Sequence, residues 1–363
     1  MPRATCKNEL LSFLKEKQEK LCAVVMPDFF FDRLISLDYD VAGFYSAIAD
    51  VTSRKGGSID GIAQMDIRGG NAVNTTSALA ALGVDVTPIV CTNKLGLHQI
   101  RFYLGTRGID FSHVKVAEKA SVTTALEFKA KDGKTNIMLR DVGSLTDFGP
   151  ADLDERDYEL IEGADYVCLF NWAGTKKFGT ALAETVFGRV KTGGRGKTYY
   201  DTADPTPNRD GIPRLMRDVL QSNCVDVLSL NENEAVCYAA MLSDEVRGKQ
   251  GKERFDELAL EAARILAKHL PARIDLHTTV FSGSFTKRGE VVVPAFKVKA
   301  LRATGAGDAW DSGNILGDGN GLSDECRLTL ANAVAACYLS GRSGAHPTRL
   351  ELAHFVENSE LMV

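Results

Sequence analysis

No uninterrupted apolar run in this chain approaches the roughly 20 residues that a membrane-spanning helix requires, which argues against an integral membrane protein. Positive charge is not in excess either: 43 Lys and Arg stand against 48 Asp and Glu, a net charge of -5. A pI near 5.8 leaves no basic field to hold nucleic acid or an anionic membrane, so neither is expected as a partner. The eight cysteines contain no CxxC pair and lie mostly in apolar segments such as YVCLF and AACYL. They read as buried free thiols, not as a zinc site or a disulfide framework. The opening segment, MPRATCKNELLSFLKEKQEKLC, lacks the apolar centre of a signal peptide and reads as an amphipathic helix. Proline-rich linkers, internal repeats and low-complexity tracts are missing too. The expectation is a globular protein of the cytoplasm, with 363 residues sufficing for one large core.

Short β-branched runs alternate with helical stretches along nearly the whole chain. LCAVVM (21–26), VTPIVC (86–91), YVCLF (166–170), TYYD (198–201), VDVLSL (225–230) and TTVFSG (278–283) predict buried strands. NTTSALAALG (74–83), HQIRFYLGTRG (98–108), KKFGTALAETVFGRV (176–190), NEAVCYAAML (233–242) and FDELALEAARILAKHL (255–270) predict helices. This order points to a mostly parallel sheet covered on both faces, where ligands collect beyond the carboxyl ends of the strands. Two segments, about 33–68 and 112–140, break the alternation. The second carries the Asp-Gly hairpin signal in KDGK. Together they form either a small sheet standing off the main domain as a lid or a pair of surface hairpins.

Two glycine-rich stretches carry the chemistry. In ATGAGDAWDSG (303–313) a Gly-Ala-Gly turn runs into a helix start, leaving backbone N–H groups unobstructed as an anion site. Asp308 falls on the first turn beside it, either as a helix cap or as a chemical group. A dinucleotide fingerprint would need a third glycine where Trp310 stands, which disfavours an NAD-dependent oxidoreductase. In RGGNAVNTTSALAALG (68–83), Gly69 and Gly70 let a substrate approach the backbone, and Asn71 and Asn74 bring amides to a helix start.

GGNAVN in the first third, TGAGD in the last and LSLNENEA (228–235) between them resemble the ribokinase-like, PfkB carbohydrate kinase family over about residues 21–350. The resemblance implies an α/β three-layer sandwich with a mostly parallel central sheet and a small β lid. Residues 21–355 would be the kinase domain, preceded by a helical extension at 1–20. It implies Mg²⁺-dependent transfer of the γ-phosphoryl group of a nucleotide, ATP or another, to a hydroxyl of a small sugar or polyol. Asp308 would take the proton from the attacking hydroxyl, while the N–H groups of Gly305, Ala306 and Gly307 hold the migrating charge. Asp32, Gly69, Gly70, Asn74 and Asn171 fall where such proteins bind the acceptor. Thr304, Ser282, Gly283 and Asn332 fall along the nucleotide. Asn231 and Glu234 match an Asn-x-x-Glu element that organises Mg²⁺ and phosphates largely through water. They also match a helix capping box. Exposed lid strands imply an optional homodimer.

Departures from the family pattern bear on the details. Arg302 stands where an aspartate often helps bind a monovalent cation; either it repels K⁺, making turnover K⁺-independent, or it points to solvent. A several-fold rise in turnover on adding K⁺ would contradict the first reading. Met26-Pro27, the CTNKLG turn (91–96) and Thr286 also depart from common family residues. Arg140, at a lid strand end, suits a carboxylate or phosphate and so keeps sugar acids open. Phe29, Phe30, Phe31 and Tyr45 either stack on a nucleobase, keeping nucleosides open, or lie in the core. A different class, a catalytically idle ligand sensor of the same fold, would have no need of Asp308 and Glu234.

Overall fold

Runs such as CAVVM and YVCLF lack a polar face because both of their faces are covered. The computed structural model describes residues 4–16, 19–130, 133–249, 255–301, 304–341 and 344–362; Arg302 and the Lys131-Asp132 part of the KDGK turn lie outside the described residues. The first strands are β1 (Cys22–Met26), β2 (Phe30–Ser36), β3 (Ala63–Gly69), β4 (Asp85–Pro88), the short pair β5 (Cys91–Thr92) and β6 (Lys115–Val116), β7 (Ser121–Ala130) and β8 (Gly133–Asp141). They are followed by β9 (Tyr166–Phe170), β10 (Lys197–Asp201), β11 (Val227–Asn231), β12 (Arg273–His277), β13 (Phe281–Thr286) and β14 (Gly289–Pro294).

An eight-stranded sheet runs β14-β13-β12-β11-β10-β9-β1-β4. It is parallel from β12 to β4 and antiparallel at the β13–β14 edge. Side chains alternate across it. Val24 and Met26 of β1 pack towards the helices Gly179–Thr192 and Phe255–His269. Ala23 and Val25 pack towards Ala4–Lys15, Asn71–Ala81, Ala306–Gly319 and Asp324–Ser340. The result is three layers with a core on each side of the sheet. The amino-terminal helix buries Leu10, Phe13 and Leu14, and the Arg349 guanidinium lies over the Phe13 ring, 4.7 Å from its centroid. No helix among the described residues is long and apolar enough to cross a membrane.

Two local differences from the sequence expectation have physical causes. The helix expected from Asn74 begins at Asn71, because Asp28, beyond β1, accepts the N–H groups of Asn71 and Ala72 at 3.0 and 2.8 Å. The strand expected at 278–283 is divided: β12 ends at His277, the chain turns at Thr278, and β13 starts at Phe281. RIDLH did not read as a buried strand because its charges mask the pattern. Arg273 and Arg327 both pair with the fully buried Asp275, at 2.9 and 2.8 Å.

The second sheet, ordered β3-β2-β7-β8, is built from the two segments that broke the alternation. Its register places Asp32 opposite Thr123, and Thr123 opposite Arg140, on one face. The helix Val41–Ser53, capped by Asp40, buries none of its residues. With β8 it leaves Val41, Tyr45, Ile48, Ile137, Met138 and Leu139 exposed.

Candidate active site

Two helix N-termini meet at one carboxylate. Gly305 adopts φ 80°, a left-handed conformation open to glycine, and turns the chain into the helix Ala306–Gly319. Asp308 on its first turn is 5% exposed. Its two oxygens accept hydrogen bonds from the side-chain amides of Asn71 (2.8 Å) and Asn74 (2.9 Å) on the helix Asn71–Ala81. The first N–H groups of the helix Ala306–Gly319 lack intrahelical partners by geometry, so its positive end lies here, whereas those of Asn71 and Ala72 are taken by Asp28. Burial pushes the Asp308 carboxyl well above its ordinary range and the nearby Asp201 and Asp28 add to the rise, against the two asparagine amides. A carboxyl so placed is poised to accept a proton.

The glycine pair serves the neighbouring acids. A Cβ on Gly69 would lie 2.1 Å from Asp32 Oδ2, and one on Gly70, at φ 92°, would lie 2.8 Å from the Phe29 Cα. Asp32 therefore projects across bare backbone. Its Oδ1 is buried without a hydrogen-bond partner, and burial lifts its carboxyl to about 6, against Thr123 and Arg140, which lower it. Arg140 is exposed, its guanidinium 4.9 Å from the Phe30 ring centroid. Asn171, at φ 51° and 1% exposed, donates to Asp28 (2.8 Å) and accepts from the Gly174 N–H (3.1 Å). Its side chain braces Asp28, which in turn caps the helix bearing Asn71 and Asn74. Phe29 and Phe30 are buried, whereas Tyr45 is exposed on the lid.

The residues expected along the nucleotide divide into separate groups. Asn231 and Glu234 form a capping box: the Glu234 N–H donates to Asn231 Oδ1 (3.1 Å), and the Asn231 N–H and amide donate to the two Glu234 oxygens (2.9 and 2.7 Å). Burial pushes the Glu234 carboxyl well up, and Asp201 adds to it. Ser282 donates to Asn332 (2.5 Å), the Trp310 indole N–H lies 2.9 Å from both, and the Asn332 amide donates to the Pro294 carbonyl (3.1 Å). A Cβ on Gly283 would meet the Phe285 ring at 2.6 Å, so that glycine admits a core aromatic. Thr304 is exposed at the mouth of the turn. The fold thus gathers Asp308, Asn74, Gly305, Ala306 and Gly307 at one point and sets Asp32, Gly69, Gly70, Arg140 and Asn171 around Asp28, whereas Ser282 and Asn332 spend their polar atoms on each other, on Trp310 and on the Pro294 carbonyl.

Four polar residues of this region escaped the sequence reading: the buried Asp28, Asp201 and Asp311, and the half-buried His277. Three follow or end parallel strands, the position where ligands gather, and Asp311 lies one turn beyond Asp308 on the same helix. Those positions were the available signal. Burial lowers the His277 imidazole to about 4.

A mostly parallel sheet, a β lid and two helix N-termini converging on a carboxylate define the ribokinase-like class of fold. Ribokinase from Cryptococcus neoformans var. grubii in complex with ADP superposes with a TM-score of 0.69 at 15% identity, covering 93% of this chain and 99% of that one. Adenosine kinase from Sinorhizobium meliloti gives 0.70 at 16% identity, covering 93% and 98%. In sequence, an ATP-dependent ribose-1-phosphate kinase of Halopiger xanaduensis is 31% identical over 296 residues, 79% of this chain and 86% of that protein. The model of the pfkB family carbohydrate kinases matches residues 44–349, and the chain belongs to that family. It is a carbohydrate kinase of the sugar and nucleoside kinase group.

Proposed function

We propose that this protein transfers the γ-phosphoryl group of ATP to a hydroxyl of a small sugar or polyol, with Asp308 as general base. The observation carrying this reading is the Asp308 carboxylate, held by Asn71 and Asn74 where two helix N-termini meet. The acceptor hydroxyl sits against Asp308, and Asp32, with one oxygen unpartnered, takes further hydroxyls. The N–H groups of Gly305, Ala306 and Gly307 face the charge of the transferring group. The lid closes over the acceptor and excludes water. Magnesium accompanying ATP neutralises phosphate charge; Glu234, a buried carboxylate raised by its neighbour Asp201, fits a role in holding it through water.

The likeness to a ribose-1-phosphate kinase supports a second acceptor, a phosphorylated ribose, and Arg140 beside Asp32 supplies a guanidinium for its phosphate. ADP release is measured with ATP and Mg²⁺ against ribose, ribose 1-phosphate, a sugar acid, a polyol and a nucleoside. The native chain is expected to turn over at least one of them, and Asp308→Asn to lose about 10²–10⁴-fold in kcat. Failure of the native chain with every acceptor would favour the idle sensor; unchanged kcat in Asp308→Asn would remove the base. The exposed apolar side chains of the lid helix and β8 fit a homodimer through the lid, which sedimentation velocity tests by its mass: a monomer at tens of micromolar counts against it.

A further inference from the structure

Behind the Gly305–Gly307 turn, three side chains from three separate elements converge: Asp201 at the end of β10, His277 at the end of β12 and Asp311 on the helix Ala306–Gly319. One ligand atom from each lies within 4.8 Å of the other two. A Cβ on Gly307 would approach the His277 ring to 3.4 Å, so the cluster borders the phosphate turn itself.

The polar atoms here are not all served by the protein. Asp311, fully buried, accepts the Tyr199 and Ser229 hydroxyls on Oδ1, both at 2.6 Å, while its buried Oδ2 has no donor other than a proton shared with the Asp201 carboxyl. Nε2 of His277 is buried without a hydrogen-bond partner. Asp201 accepts the Ala203 N–H at 2.8 Å on Oδ1. The buried Arg327 and the partly buried Arg273 are committed to Asp275, Asp318 and Asp324. Two carboxylates in a dry pocket cannot both stay ionised unless a shared proton or a cation lies between them. A shared proton would satisfy Asp201 and Asp311 and leave the imidazole unserved. A cation serves all three.

We propose that Asp201, His277 and Asp311 form a binding site for a divalent first-row transition metal ion, ligated directly by the protein in the absence of nucleotide. One imidazole nitrogen and two carboxylates are a donor set that favours manganese or zinc over magnesium and calcium, which take oxygen. Ligand atoms around such an ion stand about 3–3.5 Å apart, so small side-chain rotations close the cluster onto it. The site is distinct from the magnesium that travels with ATP, because it needs no phosphate to complete it.

The test uses the full-length native chain stripped by chelation, with neither nucleotide nor acceptor present, so its outcome does not depend on the kinase reading. Mn²⁺ is titrated while the free ion is followed by electron paramagnetic resonance, and the bound ion is examined by pulsed methods for coupling to ¹⁴N. One ion per chain with imidazole ¹⁴N coupling is expected. His277→Gln and Asp311→Asn should each lower affinity at least tenfold, and Glu234→Gln should retain binding. Absence of saturable binding, or a bound ion without ¹⁴N coupling, overturns the site. So does loss of binding in Glu234→Gln with retention in His277→Gln. Should the variants fail to fold, the ¹⁴N signature of the native chain decides alone.

Discussion

Asp32→Asn is a perturbation whose two consequences run in opposite directions. The Asp32 carboxyl stands at about 6 instead of 3.8, mainly because burial disfavours its charge. A carboxyl raised in the native state costs nothing below its unfolded value, where both states are protonated. Its cost appears as pH rises past that value and is complete once pH exceeds about 6. The interval corresponds to about 3 kcal/mol of native-state stability forgone at pH 8 and to less than about 1 kcal/mol at pH 4. Asparagine carries no charge and still offers an oxygen to Thr123. The variant should therefore melt above the native chain at pH 8, by on the order of 2–5 °C, with the difference mostly gone at pH 4. Scanning calorimetry at the two pH values, without ligand, reads this directly. In the same variant the acceptor KM should rise about tenfold or more, since a hydrogen bond to a charged group contributes about 1.5–3 kcal/mol. A melting difference equal at both pH values would refute the electrostatic reasoning. An unchanged KM would remove Asp32 from the acceptor site.

Two further substitutions probe the scaffold. Gly70→Ala places a methyl 2.8 Å from the Phe29 Cα at φ 92°, and urea unfolding should show a loss of about 2–3 kcal/mol, with acceptor turnover reduced as the Asp28 cap shifts. Arg327→Met leaves Asp275 short of a buried counter-charge and should cost about 3–5 kcal/mol by the same measurement. Burial alone would push the Asp275 carboxyl up, but Arg273 and Arg327 more than reverse it, so the contribution of this network is full above about pH 4 and fades below. An Arg327→Met loss that is the same at pH 7 and pH 3 would contradict that assignment.

Much of the scaffold was legible because periodicity is enforced by burial. LCAVVM and YVCLF could be read as strands because nothing polar interrupts their sheathed faces, and the GAGD turn could be read because only glycine takes the backbone it needs. RIDLH was hidden, since Arg273 and Asp275, besides pairing with each other, find Asp318 and Arg327 on distant elements that no local window contains. Asp28 was hidden for a related reason: its partners, Asn71, Ala72 and Asn171, lie 43, 44 and 143 residues away. In the candidate site, the residues carried by glycine motifs were legible in the sequence, and Asp28 and Asp201, acids at strand ends, were not. Asn231 with Glu234 shows one sequence pattern serving a local cap whose geometry is plain, while Ser282 and Asn332 show strand-end and helix polar groups satisfied by each other.

The bonds from Asn71 and Asn74 to Asp308 span 237 and 234 residues. With Asp308 in its proposed role, the site cannot be assembled while the first half of the chain emerges: the asparagines come first, and their carboxylate follows more than two hundred residues later. A fragment ending before Asp308 would lack the proposed base, and contacts of such long sequence separation carry a high loop-closure cost during folding.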